Sequence, residues 1–416
     1  MAEEPSGAGA GSSGSDPDAC MIRWPVPVLH FSNVPVRAGV EEHMLRLLQG
    51  LDRTYFRPLL ACPPELVRAF RQDVPADVEV FPVFLESPWH TAAARQLARI
   101  LRERKILILH SHQFRAGLAA SPIGRWCRVP LIIGTAHVRE TWRKGWLKGS
   151  FVIDRLADLF IDRYIAVSHA IARYLIEEKR LPEEKITVIH NGCDLQRFNP
   201  DHAAPGGLRP GLGFAEDDPV IVVLARLDPQ KGHRFLLDAL PAVRSEFPRV
   251  RLVCAGEGEL RGELEHQAQA LGIDDSVRFV GFQSNTEDWL ALAELTVLPS
   301  LYEGLPVVAV ESLAAGKPMV ATAVDGTPEI VLDGKTGLTV PAARPQPLAG
   351  AICRLLRDPD LRRQMGRAGR EWVMKGFSHE HQVKATENLY RRGLEQRLSK
   401  SAIENPLTED RRQSVH

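Results

Sequence analysis

Residues 295–324 read LTVLPSLYEGLPVVAVESLAAGKPMVATAV. Two short apolar runs, LTVLPS (295–300) and PMVATAV (318–324), flank a stretch with helical character over PVVAVESLAAG. The spacing predicts strand, turn, helix, strand. Gly304 permits the tight turn. Pro306 suits the first helical turn, where its missing N–H costs nothing, and Gly316 stops the helix. A strand that returns through a helix pairs in parallel, so this stretch alone points to an α/β sheet. It also poses a chemical question. Glu303 and Glu311 bracket an apolar run, and no basic residue lies between them.

The same alternation extends outward in both directions. VIVVLARL (220–227), VRLVCAG (250–256) and VRFVGF (277–282) read as strands separated by helices. Upstream, VPVLHFS (26–32), RPLLAC, VEVFPV, ILILHSH, PLIIGTAH and RYIAVSHA repeat the pattern, with helices such as VEEHMLRLLQGL (40–51) between them. Around 195–218 it breaks into a stretch rich in Pro, Gly and Asp, which reads as a linker. The expected fold class is therefore α/β, with two Rossmann-like doubly wound parallel-sheet domains. The expected layout is a loose tail at 1–20, a first domain at 21–198, a linker at 199–218, a second domain at 219–378 and a flexible tail at 399–416. Ligands bind outside the carboxyl ends of such strands, so the two units are expected to share one cleft.

The bulk numbers agree with two domains in 416 residues. Lys and Arg number 52, as do Asp and Glu, and this balance argues against a nucleic-acid binder. Charge is uneven, however: residues 21–190 hold 25 basic and 17 acidic residues, whereas 201–376 hold 19 and 24. Six scattered cysteines without a CxxC pair fit a reduced, cytoplasmic protein. The small, acidic N-terminal stretch lacks the apolar core of a signal peptide. No apolar run is long enough to span a membrane.

Candidate site residues cluster at the expected strand ends. Arg226 ends VIVVLARL and Lys231 follows in LDPQKGH, a basic pair able to hold a diphosphate from two sides; a solvated surface loop explains them equally well. AGEGEL offers Gly256, Glu257 and Gly258, where a ligand or a plain turn would each account for the glycines. The helix after Gly304 presents free N–H groups to an anion. Glu303 precedes that helix and Glu311 lies about two turns inside it, so both can address one ligand from different ends. The bland alternative makes Glu303 a helix-start carboxylate and Glu311 a solvated one. In the first half, Gly39 lies between a strand and its helix, another phosphate position. His137 ends PLIIGTAH and is better placed for the cleft than a mid-strand histidine, although a lone histidine there is more often a satisfied structural residue than a catalyst. His110 and His112 also end a strand, but no carboxylate or cysteine at ligand spacing accompanies them, so no metal site is expected.

Taken together, these motifs resemble a known family. EGLPVVAVE reproduces the E-x7-E pattern of retaining glycosyltransferases, and IHNGCDLQRFNP, ARLDPQKG, AGEGEL, VRFVGF and PEIVLDGKTGLTVPA surround it. The chain is similar to family 4 of those enzymes over about residues 25–395. The resemblance implies the glycosyltransferase B architecture, with the final helix, about 379–398, crossing back to complete the first domain. It further implies a nucleotide-sugar donor held by Gly256, Glu257, Val280, Gly304, Leu305, Pro306 and Val307. Arg226 and Lys231 would bind its diphosphate, Glu311 its ribose and Glu303 the transferred sugar. Gly39 would close on the diphosphate, and His137 would lie at the reacting face. Two cations would then replace a metal, so neither cofactor nor obligatory metal is expected. Two positions depart from relatives, Ala38 and Asp325, where glycine is frequent.

The implied activity is transfer of a hexose, from a UDP-sugar first and a GDP-sugar second, to a glycan or lipid-linked hydroxyl with retained configuration. The segment 139–156, with Trp142, Arg143, Lys144, Trp146 and Lys148, suits contact with an anionic membrane at the inner face; a solvated loop is the alternative. Competing readings are a catalytically silent nucleotide-sugar or glycan binder on the same scaffold, and a nucleotide-sugar epimerase. The intact charged set Arg226, Lys231, Glu303 and Glu311 disfavours the silent binder.

Overall fold

A computed structural model describes residues 24–37, 39–85, 90–140, 155–156 and 158–398. Thirteen strands form two all-parallel sheets among these residues. The first contains β1 (Val26–Phe31), β2 (Phe56–Cys62), β3 (Glu79–Pro82), β4 (Ile108–His112), β5 (Leu131–Ala136), β6 (Arg163–Ala166) and β7 (Ile186–Val188), in the order β3-β2-β1-β4-β5-β6-β7. The second contains β8 (Val220–Leu224), β9 (Arg251–Ala255), β10 (Val277–Gly281), β11 (Leu295–Leu298), β12 (Met319–Thr322) and β13 (Gly337–Val340), in the order β10-β9-β8-β11-β12-β13. Both orders reverse beside the first strand of the sheet. That reversal opens a crevice between β1 and β4, and a second between β8 and β11.

Helices cover both faces, which explains why the strands read as continuous apolar runs rather than alternating ones. Every residue of β1 is buried, for example. The stretch that opened the sequence reading folds as expected: β11, the helix Val307–Ala314, then β12. Pro306 stands one position earlier than expected, as the extended N-cap with ψ 111°. Gly316 follows the helix with φ +70°, a left-handed conformation that suits glycine.

Two edge strands escaped the sequence reading. β7 and β13 have only 3 and 4 residues, and all three residues of β7 are half-buried, so no long apolar run marked them. The stretch read as a linker is also more structured than expected. It holds the helix Leu208–Gly211 and buries Phe214 against Val220, Val222 and Trp289.

The helix His379–Arg397 packs Val383, Leu389, Tyr390 and Leu394 into the same apolar cluster as Val26, Ile108 and Leu131 of the first sheet. Between the two sheets, another cluster joins Val167 and Ala172 from one side to Leu305, Ala309 and Ile330 from the other. The interface is therefore a continuous apolar seam. Among the described residues no helix is long and apolar enough to cross a membrane.

Candidate functional site

The loops after β8, β9 and β11 converge on one pocket at the carboxyl ends of the second sheet. Arg226, Asp228, Gln230, Glu257, Gly258 and Tyr302 line this open cleft of about 480 Å³. Asp228 caps a short helical turn, Pro229–Lys231, by accepting from the Lys231 N–H at 3.2 Å. Gly232 then turns left-handed at φ +65°, and the site needs glycine twice over, since an added Cβ would also stand 2.1 Å from the Pro299 carbonyl oxygen. This turn aims Lys231 inward. Its Nζ lies 2.6 Å from Glu303 Oε1, which also accepts from Ser300 Oγ at 2.7 Å. Glu303 is buried and its backbone N–H donates to Asp325 Oδ2 at 2.9 Å.

Arg226 behaves differently. Its side chain is 55% exposed and, among the described residues, pairs with Asp228 at 2.9 Å. An exposed pair of this kind contributes little to folding, which leaves the guanidinium free to meet a ligand. Gly256 and Gly258 have an architectural reason as well. An added Cβ would come within 2.0 Å of the Ala225 oxygen and 2.2 Å of the Leu227 oxygen respectively, so both glycines let β9 pack against the Arg226 loop. Glu257 is exposed and pairs with Arg261 at 2.7 Å. Val280 is half-buried at the end of β10.

Glu311 proves not to be solvated. Its side chain is 13% exposed, and Arg46 from the first-domain helix Gly39–Gly50 approaches to 3.6 Å. Burial pushes its carboxyl pKa up, with Arg46 and Arg197 opposing. The basic partners that the local sequence lacks thus come from far along the chain: Lys231 for Glu303, and Arg46 for Glu311.

The first domain meets this site through the Gly304 turn. A Cβ on Gly304 would stand 1.6 Å from the His137 carbonyl oxygen, so only glycine permits the approach. The Gly304 oxygen accepts from Ser168 Oγ at 3.0 Å, and the Leu305 oxygen accepts from Asn191 Nδ2 at 3.1 Å. Glu329 crosses in the same direction, accepting from the His169 and Ala170 N–H groups at the start of the helix His169–Arg173. His137 and Gly304 are therefore neighbours. Gly39 begins its helix with open space around it, so sterics do not demand a glycine there.

Sequence reasoning missed Ser300, Asp325 as a partner, and Glu329. Asp325 sits at φ +42°, a left-handed conformation that glycine adopts more readily, and it also approaches Arg139 at 3.5 Å. Ala38 and the segment 141–154, with Trp142, Arg143, Lys144, Trp146 and Lys148, lie outside the described residues.

Five histidines gather on the first-domain side: His30, His43, His110, His112 and His137, all buried. Chain spacing does not reveal this group, because β1, β4, β5 and the first helix each supply part of it. Burial is the main cause holding His30 down to about 3 and His43 to about 4, with neighbouring positive charge adding to it. In the second domain, burial and Lys231 hold His233 to about 4. These rings are neutral in the fold but take a proton near pH 6.5 once unfolded. Their contribution to stability is full above pH 6.5 and falls as pH drops towards 4, by about 1.4 kcal/mol per pH unit for each ring. Unfolding free energy should accordingly fall by at least about 3 kcal/mol between pH 6.5 and 5.0. Urea titrations at the two pH values measure it, and equal midpoints would refute it.

Comparisons place this geometry in a family. The model for glycosyl transferases group 1 matches residues 208–372, and that for glycosyltransferase family 4 matches residues 37–197. A D-inositol 3-phosphate glycosyltransferase of Kribbella flavida is 32% identical over 308 residues, covering 69% of this chain and 72% of that protein. A GDP-mannose-dependent alpha-(1-6)-phosphatidylinositol monomannoside mannosyltransferase of Mycolicibacterium smegmatis is 29% identical over 360 residues, covering 82% and 92%. The crystal structure of Anabaena Alr3699/HepE in complex with UDP superposes with a TM-score of 0.75 at 21% identity, covering 88% of this chain and 99% of that one. With two facing parallel-sheet domains and both family models matched in sequence, this chain belongs to the family 4 glycosyltransferases of the glycosyltransferase B type.

Proposed function

We propose that the enzyme is a metal-independent, retaining hexosyltransferase that moves a sugar from a nucleoside diphosphate sugar to a hydroxyl of a lipid-linked or cell-surface glycan. The observation that carries this reading is the Lys231–Glu303 pair at 2.6 Å, on the same two loops that bring Arg226 and Tyr302 to the cleft and Gly304 against the His137 carbonyl. Arg226 and Lys231 bind the diphosphate and stabilise the charge that develops as it leaves. Glu303 accepts from hydroxyls of the transferred sugar, and Glu311 from those of the ribose. Gly256, Gly304, Leu305, Pro306 and Val307 line the donor, and His137 meets the sugar at the reacting face.

The acceptor hydroxyl attacks the anomeric carbon from the face that the phosphate leaves. The bond from that carbon to the phosphate oxygen breaks, the bond to the acceptor oxygen forms, and the departing phosphate oxygen takes the acceptor proton. Glu303, already engaged by Lys231, is a poor general base and serves as an anchor. The paired carboxylates of a glycosidase are therefore the wrong analogy.

A UDP-sugar is the favoured donor and a GDP-sugar its competitor. Relatives support both: one is named for GDP-mannose, and another was crystallised with UDP. Thermal shift with a panel of UDP-, GDP- and ADP-sugars should single out one donor, and transfer with it should survive EDTA. NMR of the product should show retained anomeric configuration; an inverted product would overturn the mechanism. A lipid-linked acceptor places the basic first domain at an anionic surface. Flotation with anionic vesicles should weaken when Trp142, Trp146 and Lys144 are replaced by alanine, and unchanged flotation would remove the membrane contact.

A further inference from the structure

We propose that His43, His112 and His137 form a binding site for one divalent transition-metal ion of the zinc class, set into the first-domain wall of the cleft. The three come from separate elements: the helix Gly39–Gly50, the end of β4, and the residue after β5. Each offers a ring nitrogen to a triangle whose sides are all within 4.8 Å. Each also has one buried ring nitrogen without a hydrogen-bond partner: Nε2 of His43, Nδ1 of His112 and Nε2 of His137. Orphaned buried nitrogens are rare, and three in one place require an explanation.

For His43 and His112 the opposite ring nitrogen supplies it. His43 Nδ1 lies 2.9 Å from Asn191 Oδ1 and 2.8 Å from Gln382 Nε2, and donating to the Asn191 oxygen leaves Nε2 with the lone pair; His112 Nε2 lies 3.0 Å from His30 Nδ1. A ring that donates its N–H to such a partner turns its lone pair to the other nitrogen, as metal-bound imidazoles do. The three rings also pack directly on one another. His43 meets His137 edge-on at 4.7 Å between centroids, and His112 lies 5.6 Å from His43 and 6.0 Å from His137. Zinc–nitrogen bonds of about 2.0–2.1 Å in a tetrahedron place ligand atoms about 3.3 Å apart. Closing the triangle therefore requires a shift of about 1.5 Å at most, within reach of small side-chain rotations.

The donor set decides the ion. Three imidazoles without a carboxylate suit Zn²⁺, Co²⁺, Ni²⁺ or Cu²⁺ and not Mg²⁺ or Ca²⁺, which take oxygen ligands. The neighbouring triad His30, His110 and His112 is less suitable, because both nitrogens of His110 are engaged at 2.6 Å, by Tyr390 Oη and Thr135 Oγ1. A third group, His169, His190 and Glu329, has its carboxylate already committed to two backbone N–H groups and His190. The site touches the cleft because the His137 carbonyl abuts Gly304. An ion there takes the His137 ring away from the sugar, so it inhibits transfer rather than serving it. That consequence, unlike the binding itself, rests on the proposed function.

The test uses the full chain, stripped with chelator and then dialysed against micromolar Zn²⁺ or Co²⁺ alone. One equivalent of metal should be retained by elemental analysis, and Co²⁺ should give the intense visible bands of a tetrahedral nitrogen-rich site. Added Zn²⁺ should raise the melting temperature through preferential binding to the folded state. His43→Asn and His112→Gln should each weaken binding at least about 30-fold, with metal-free melting curves confirming that the variants fold. His169→Gln should bind as the parent does. Failure of the parent to retain metal, a Co²⁺ spectrum of the hydrated ion, or full binding by folded His43→Asn would each overturn the proposal. If metal binds while transfer is unaffected, the site stands and the role given to His137 falls.

Discussion

Glu303→Gln should lower the transfer rate by about 10²–10³-fold with only a modest rise in KM for the donor, as expected for an anchor whose grip tightens in the transition state. The substitution keeps the side-chain volume and the hydrogen bond from Ser300 but removes the charge that meets Lys231 at 2.6 Å. Lys231→Ala should lose at least as much activity, since it removes a cation that we propose stabilises the leaving diphosphate. It should also cost about 3–5 kcal/mol of stability, because Glu303, 5% exposed at its side chain, is left as an unpaired buried charge. The double variant should be less destabilised than the sum of its parts, for both partners of the pair are then gone. Steady-state kinetics and denaturant titrations of the four proteins measure this cycle. Strict additivity in stability would show the pair to be energetically idle, and transfer that survives either single change would contradict the site.

Gly304→Ala should be the most damaging single methyl in the chain. Its Cβ would lie 1.6 Å from the His137 carbonyl oxygen, against a practical minimum of 3.0 Å, so the two domains must separate there by 1.4 Å (3.0 − 1.6). Both contacting groups are backbone and neither can swing aside. Separation stretches the Ser168 hydrogen bond to the Gly304 oxygen and the Asn191 hydrogen bond to the Leu305 oxygen. A misplacement of this size across a reacting cleft costs about 10²-fold in rate. The melting temperature should fall too, because the apolar seam joining Val167 to Leu305 opens. Gly350→Ala supplies the contrast. That glycine lies in the helix Pro345–Arg357 with nothing within 4 Å, so alanine there should add about 0.5–1 kcal/mol of stability. A Gly304→Ala enzyme with parental activity would show that the domains do not work at this spacing.

The fold was legible because parallel strands covered on both faces are written as uninterrupted apolar runs. LTVLPS and PMVATAV, with a helix between them, sufficed to call for a doubly wound sheet. Where that code thins, the reading thinned as well. β7 and β13 are short edge strands whose partners cover one side only, and nothing in ITV or GLTV distinguishes them from loop. Arg226, Lys231, Glu303 and Glu311 stand out in the sequence because charged residues after a strand, or inside an otherwise apolar helix, break the pattern. Ser300, Asp325 and Glu329 do not, since small polar and acidic residues are ordinary in turns; only their partners mark them out.

The sequence by itself determined the alternation of strand and helix, the order of the motifs, and the spacing of Glu303 from Glu311 along one strand–turn–helix. These follow from local rules: residue periodicity, the torsions open to glycine and proline, and the capping of helix ends. What balances those two carboxylates is decided only in three dimensions. Lys231 reaches Glu303 from the loop after β8, and Arg46 reaches Glu311 from the other domain. The five-histidine cluster is likewise a product of packing, assembled where β1, β4 and β5 end beside the start of the first helix. A buried charge or an orphaned nitrogen has no local signature, because its energy depends on which distant groups share its low-dielectric surroundings.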